Sequence, residues 1–381
     1  MAVRLTEVTG LLDEMYDPSW AEGWDAVGLV CGEPDQEVSK ILFAVDPAPV
    51  VVDEAVEWGA DLLVVHHPLL LRGVHGVAAT TPKGRSVHRL LRNGCALFTA
   101  HTNADTAAGG VNEALADALG LQDSRILDPA DGGMDKIVTF APHEDAARVR
   151  EAITVAGAGV LGNYDSCTFT VEGEGRFRPL HGAAPAIGQV GEVEVVSEAR
   201  IEAVLPRARR RAVVEAMRAA HPYEEPAFDL FELAGPSGSI TATRGHGRVG
   251  RLPRALSLRG LAEHVASALP STAHGVRVGG DPDRTVETVA VQCGAGDFLL
   301  DSVLRSGADA FLTSDLRHHP ASEFLEHGGP ALLDVAHWAA EWTWLPVVER
   351  RLAQGLDRRG DTVETRVSTT VTDPWTFRVD R

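Results

Sequence analysis

Two textures of apolar and polar positions run along the chain. Near the start, Leu5, Val8, Leu11, Leu12 and Met15 recur at helical spacing, with Pro18 just beyond, and predict a helix. Three short, unbroken apolar runs follow: Ile41–Val45, Leu62–Val65 and Ala96–Thr99. Each is strand-sized and lacks alternation, which suits strands buried on both faces of a parallel sheet. Helical patterns accompany them at Pro49–Trp58, Val87–Arg92 and Gly110–Leu119, where Val111, Leu115 and Ala118 share a face. Gly120 fits the left-handed residue that closes a helix.

From about Pro129 the texture changes. A break at Asp131-Gly132-Gly133 precedes a strand over Lys136–Phe140 and a helix over Glu144–Ala156. Gly- and Pro-rich strands follow at Ser166–Glu172, Gly191–Val196 and Ala199–Leu205, then an Arg-rich helix at Arg207–Ala220 and a strand near Ala227–Leu233. This order predicts a small α+β module, with residues 234–244 as its exit linker. Buried-type strands then resume at Thr288–Cys293, Ala310–Thr313 and Leu332–Val335, separated by helices. The tail after Glu349 reads as a helix and a final strand. The expectation is one α/β domain in two parts, residues 1–128 and 244–381, divided by an α+β insert at 129–243.

Composition narrows the class. The chain has 381 residues, 54 acidic against 35 basic, for a net charge of −19. Nucleic acid is therefore not an expected partner, because affinity for a phosphate backbone comes from Lys and Arg releasing counterions. Of the three lysines, Lys40, Lys83 and Lys136, none lies in a P-loop context. The four cysteines form no C-x-x-C pair, which suits a reducing cytosol. Acids interrupt the N-terminal stretch early and no window is apolar for about 18 residues. Neither a signal peptide nor a membrane span is expected, and the expected location is cytoplasmic.

Several apolar strands end in a chemically capable residue: Asp46, His66-His67, His101, Asp315 and His337. Ligands of open α/β sheets bind beyond the carboxyl ends of the strands, so these residues are expected to converge on one sheet edge. His337 and Glu341 stand at i and i+4, as do His101 and Asp105. Pro68 holds the chain extended after the histidine pair. Each piece has an ordinary reading by itself: a surface pair, a polar helix face, a capped turn. Their coincidence at strand ends points to metal. Three imidazoles and two carboxylates suit Zn, Fe, Mn, Ni or Co. Five ligands exceed the three of an open tetrahedral site and fit two divalent ions about 3.5–4 Å apart. His75, His88, His143, His181, His264, His274 and His327 lack such partners and read as surface residues. Gly294-Ala295-Gly296 lacks the third glycine of a dinucleotide fingerprint, with Leu299 in its place, and reads as an ordinary turn.

Six ordered motifs carry a family resemblance. They are Trp24-Asp25-Ala26-Val27-Gly28-Leu29; Val65-His66-His67-Pro68; His101-Thr102-Asn103-Ala104-Asp105 with Gly109-Gly110-Val111-Asn112; His221-Pro222-Tyr223-Glu224-Glu225-Pro226-Ala227; Gly245-His246-Gly247-Arg248-Val249-Gly250; and His337-Trp338-Ala339-Ala340-Glu341. Spread over nearly the whole chain, they resemble the Nif-three-like family, the GTP cyclohydrolase I type-two homologues, in the long bacterial form with a PII-like insert. The resemblance implies a Nif-three-like split α/β domain and a ring-shaped homo-oligomer, often a hexamer. Its metal ligands fall on His66, His67, Asp105, His337 and Glu341. His101 matches the family's histidine beside the site, one that supports a ligand from behind or carries a proton. The family usually has Asn where this chain has Ala26, and Gly where it has Ser314.

The expected activity is metal-dependent hydrolysis of a nucleotide or related small molecule, with His101 carrying a proton. The resemblance implies the C8–N9 region of a guanine nucleotide as target. The net charge would repel a triphosphate unless metal and local arginines offset it, and Arg72 and Arg248 are the candidates. Two other readings stand beside this one: a non-catalytic metal-binding adaptor or regulator, and a dinuclear phosphoesterase. His221–Pro226 reads as a rigid turn before the insert's last strand, with Tyr223 packing.

Overall fold

Burial of alternate residues on opposite faces governs the sheets. The computed structural model describes residues 3–130, 134–161, 164–233 and 244–379. Lys40–Ala44, Leu62–Val65 and Ala96–Thr99 pair in parallel. Glu364–Val367 adds a parallel strand at one edge and Gly28–Cys31 an antiparallel one at the other, giving a five-stranded sheet. Ile41, Phe43, Leu62, Val64, Ala96 and Phe98 enter one hydrophobic core. Leu42, Ala44, Leu63, Val65 and Leu97 enter another on the opposite face. The period of two explains why these runs are apolar without interruption.

The later apolar runs form a separate, six-stranded sheet. Its order is Val276–Gly279, Ala331–Val335, Ala310–Ser314, Thr285–Ala295, Gly245–Ser257 and Gln122–Pro129. The Thr285–Ala295, Ala310–Ser314 and Ala331–Val335 strands run parallel, and Gly245–Ser257 and Val276–Gly279 flank them antiparallel. Val289, Val291, Leu312 and Leu333 join the same core as Phe43 and Phe98, while Phe311 and Leu332 face a further cluster. The expectation of one sheet edge is thus corrected to two sheets sharing one core. Apolar periodicity marks a strand as buried but does not say which sheet it joins.

The chain divides into two compact units, Met1–Asp128 with Thr243–Arg381, and Pro129–Ala242. The second is built on a four-stranded antiparallel sheet ordered Phe228–Glu232, Met134–Pro142, Glu194–Pro206, Thr168–Phe177. Helices Ala146–Val155 and Arg210–Ala220 close one face over Ile137, Ile201 and Leu205. The two strands expected at Gly191–Val196 and Ala199–Leu205 are one strand, with Ser197 and Glu198 paired in register between them. A sheet face not covered by helices accepts polar residues mid-strand, so polarity there does not end the element. The Asp131–Gly133 break and the linker over 234–243 lie outside the described residues. Among the described residues no helix is long and apolar enough to cross a membrane.

One buried side chain ties the helix after Gly110 to the six-stranded sheet. Asn112 accepts from the Cys293 N–H at 2.7 Å through Oδ1 and donates to the Asp105 carbonyl at 3.0 Å through Nδ2. Replacing Asn112 with Ala strands both backbone groups. It should lower stability by about 1–3 kcal/mol in urea unfolding; an unchanged midpoint would show that the tie carries no weight.

Candidate metal centre

Alternation continues past the ends of the parallel strands and sets the site. After Leu62–Val65, His66 turns to the shared core and is fully buried. Its Nδ1 lies 2.9 Å from the Ala100 carbonyl, at the end of the neighbouring strand. That carbonyl only accepts, so Nδ1 carries a proton and Nε2 is the ring nitrogen turned to the site. Beside His66, the buried Trp344 packs edge-on at 5.6 Å and donates its indole N–H to the Tyr16 hydroxyl at 3.0 Å.

Three further imidazoles are fastened through the same ring nitrogen, each to an aspartate. His67 Nδ1 lies 2.7 Å from Asp46 Oδ1, His101 Nδ1 2.8 Å from Asp25 Oδ1, and His337 Nδ1 2.6 Å from Asp315 Oδ2. The five-stranded sheet supplies His66, His67 and His101; the six-stranded sheet leads into His337. The short helix His337–Trp342 then brings Glu341 onto the same face. Glu341 Oε1 lies 2.8 Å from His337 Nε2 and 3.4 Å from His66 Nε2, and Oε2 lies 3.0 Å from His67 Nε2. Asp105, on the short helix Thr102–Thr106, approaches His66 Nε2 to 3.6 Å.

The electrostatics follow from crowding. Burial opposes ionisation of Glu341, but His337, His67 and His66 overcome it and hold the carboxyl well below its ordinary range. In return Glu341 is the main cause that raises the His337 pKa, with Asp315 adding to it. Burial works against charge on His67, yet Glu341 and Asp46 outweigh it and raise its pKa. Asp105 shifts the other way: burial raises its pKa, with only partial relief from His66 and His101. Glu341 is the better compensated of the two carboxylates.

The donor atoms fit a metal. Among the described residues His66 Nε2, Asp105 Oδ1 and Glu341 Oε2 are buried with no hydrogen bond of good geometry, facing one another and His67 Nε2 in the close contacts given above. Polar atoms so placed normally have partners. Ligating histidines commonly anchor the second ring nitrogen on a carboxylate or carbonyl, and all four do so here. His66, His67 and His101 offer donor atoms within 4.8 Å of one another, and so do His67, His337 and Glu341. These groups could hold a metal ion.

Several expectations need correction. Arg248 is buried and spends its guanidinium on the carbonyls of Gly245, Gly247 and Ala107 at 2.9–3.0 Å, so it braces backbone and is not presented to an anion. Arg72 is exposed. Gly294 is more than an ordinary turn: it has φ +68°, and a Cβ there would lie 3.0 Å from Glu341 Oε1 and 3.2 Å from His337 Nε2. His274 is not a lone surface residue but lies 3.0 Å from Asp334 Oδ2. Asp334 also accepts from the Leu316 N–H at 3.0 Å, steadying the turn in which Asp315 takes φ +57°. Ser314 is buried with no partner for its hydroxyl.

Asp25 is the residue that pattern reading passes over. It lies outside any helix or strand, and nothing in its spacing to His101 predicts contact. It accepts from the Thr102 N–H at 3.0 Å and the Ala26 N–H at 2.7 Å besides facing His101. Burial opposes its charge, but His101 and Thr102 overcome this and keep its pKa well below the usual carboxylate value. Asp46 and Asp315 stand at strand ends in the sequence, but their partners become visible only in three dimensions.

Comparison with known proteins agrees with this architecture. The profile of the Duf34/NIF3 (NGG1p interacting factor 3) family matches residues 3–374. The GTP cyclohydrolase 1 type 2 homolog of Mycobacterium tuberculosis is 51% identical over 378 residues, covering 98% of this chain and 97% of that protein. The protein of the same name from Bacillus subtilis is 36% identical over 377 residues, covering 99% of each. Among solved structures, a Bacillus cereus protein related to NIF3 superposes with a TM-score of 0.68 at 35% identity, covering 99% of this chain and 100% of that one. With a family match over almost its full length and relatives this similar, the chain belongs to the Duf34/NIF3 family.

Proposed function

We propose that the protein is a metal-dependent hydrolase whose centre takes two divalent ions, drawn from Zn, Fe, Mn, Ni and Co. The observation that carries the reading is the convergence of buried donor atoms, His66 Nε2, Asp105 Oδ1 and the two Glu341 oxygens, on imidazoles locked through Nδ1. His66, His67, His101, Asp105, His337 and Glu341 would hold the ions. Glu341 suits a shared ligand, because its two oxygens face different imidazoles. Divalent ions supply Lewis-acid chemistry and lower the pKa of water from about 15.7 toward 7. His101 fits ligation better than proton carriage: it is fastened to Asp25 as His67 is to Asp46, and its donor atom lies with those of His66 and His67. Asp25, Asp46 and Asp315 fix the rings and their tautomers.

The substrate class we infer is a nucleotide or related small molecule. Support comes from the names of the relatives, GTP cyclohydrolase 1 type 2 homologs. With Arg248 committed to carbonyls, a triphosphate would rely on the ions and on exposed arginines such as Arg72 for countercharge. Self-association into a ring is part of the same reading.

Metal-loaded protein incubated with GTP should release formate at least about tenfold faster than the Asp105→Ala variant. No turnover above that variant would sink the cyclohydrolase reading. Replacing Asp25 with Asn removes the charge that orients His101. It should weaken metal binding by about 10–100-fold in a competition titration, with the fold intact by circular dichroism; unchanged affinity would separate His101 from the metals.

A further inference from the structure

The unit Pro129–Ala242 has a cavity of its own, of about 570 Å³, within the roughly 300–1,000 Å³ range of small-molecule sites. Its floor is the sheet face that the helices do not cover, with Phe140 and Val171 on it. Its far wall is the loop carrying Pro185, Ala186 and Ile187.

The His221–Pro226 motif builds the third wall. Buried His221 accepts from the Tyr223 N–H at Nδ1, 3.1 Å away, so its other nitrogen donates to the Phe140 carbonyl at 2.8 Å. This neutral imidazole pins the turn to the sheet. Tyr223 then stands over the cavity 5.6 Å from the Phe177 ring and donates its hydroxyl to Glu198 Oε1 at 2.9 Å. Glu224 accepts from the Ala184 N–H at 2.9 Å and so fastens the far loop. A Cβ on Gly175 would collide with the Glu198 carboxylate, so glycine there lets that carboxylate lie across the floor.

The charge on the walls is one-sided. Glu198, Glu224 and Glu225 line the cavity beside Arg200, while Glu172, Glu174 and Arg176, paired with Ala199, Ser197 and Val195, alternate onto the sheet's other face. Arg200 is engaged: it lies 2.8 Å from Glu202 and its guanidinium sits over the Phe140 ring, 6.0 Å from the centroid. An anion therefore finds no free cationic partner in it. A bare divalent ion is a poor fit as well, because it needs several converging oxygens, while here aromatic faces separate the carboxylates. Aromatic faces beside a fixed carboxylate attract an organic cation, through the ring quadrupole and the charge together.

We propose that this cavity is a binding site for a small organic cation, an amine or guanidinium carrying an apolar or aromatic body. Tyr223 and Phe177 take the body, and Glu198 takes the charge. The site is independent of the metal centre and does not rest on the hydrolase reading.

The test uses the full-length protein and three matched indoles: tryptamine, neutral tryptophol and anionic indole-3-acetate, titrated by calorimetry. Tryptamine should bind saturably and at least about tenfold tighter than either analogue. Glu198→Gln should remove most of that preference, and Tyr223→Phe should weaken binding several-fold. Val171→Lys puts a fixed cation into the cavity at an exposed position without touching the Tyr223–Glu198 bond, and should abolish binding. His67→Ala should bind tryptamine as the parent does. Absence of saturable tryptamine binding, equal affinity for the three indoles, or full binding by folded Val171→Lys would each overturn the proposal.

Discussion

Everything at the candidate metal centre depends on the way each histidine is held from behind. An imidazole has two nitrogens, and a structure that fixes one dictates what the other can do. Here Ala100, Asp46, Asp25 and Asp315 take the Nδ1 atoms of His66, His67, His101 and His337. The Nε2 atoms of His66, His67 and His337 are left facing Glu341. Burying such a set is unfavourable unless charge and hydrogen bonding are satisfied. The parallel strands supply the rigidity: their ends are fixed by cores packed on both faces, so the groups they carry cannot drift apart.

Two sheets, not one, make this convergence. A common core binds the faces that carry Phe43 and Leu312, and the helix with Asn112 ties the Asp105 backbone to Cys293. Gly294 belongs to the same constraint. It is the point where the six-stranded sheet passes closest to Glu341 and His337, and a side chain there would occupy their space.

Much of this was legible in the sequence, for physical reasons. Strands buried on both faces must be apolar throughout, so Leu62–Val65 and Ala310–Ser314 stand out. Histidines and carboxylates recurring at the ends of several such runs mark His66, His67 and His337 together, though none does so alone. The i, i+4 relation gives Glu341 directly. Long-range pairing was not legible. Asp25 has no periodic signal, the aspartate partners depend on tertiary distance, and Arg248 looks the same in sequence whether it meets an anion or a carbonyl. Strand Glu194–Pro206 reads as two on polarity at Ser197 and Glu198, of which Glu198 lies on the uncovered face. That same uncovered face forms the floor of the cavity in the second unit, where the His221–Pro226 turn builds a wall.

Anomalous scattering at the absorption edge of the bound metal tests the central claim most directly. The account predicts two peaks about 3.5–4 Å apart, contacted by His66, His67, His101, Asp105, His337 and Glu341. A single peak, or peaks away from these side chains, would contradict it.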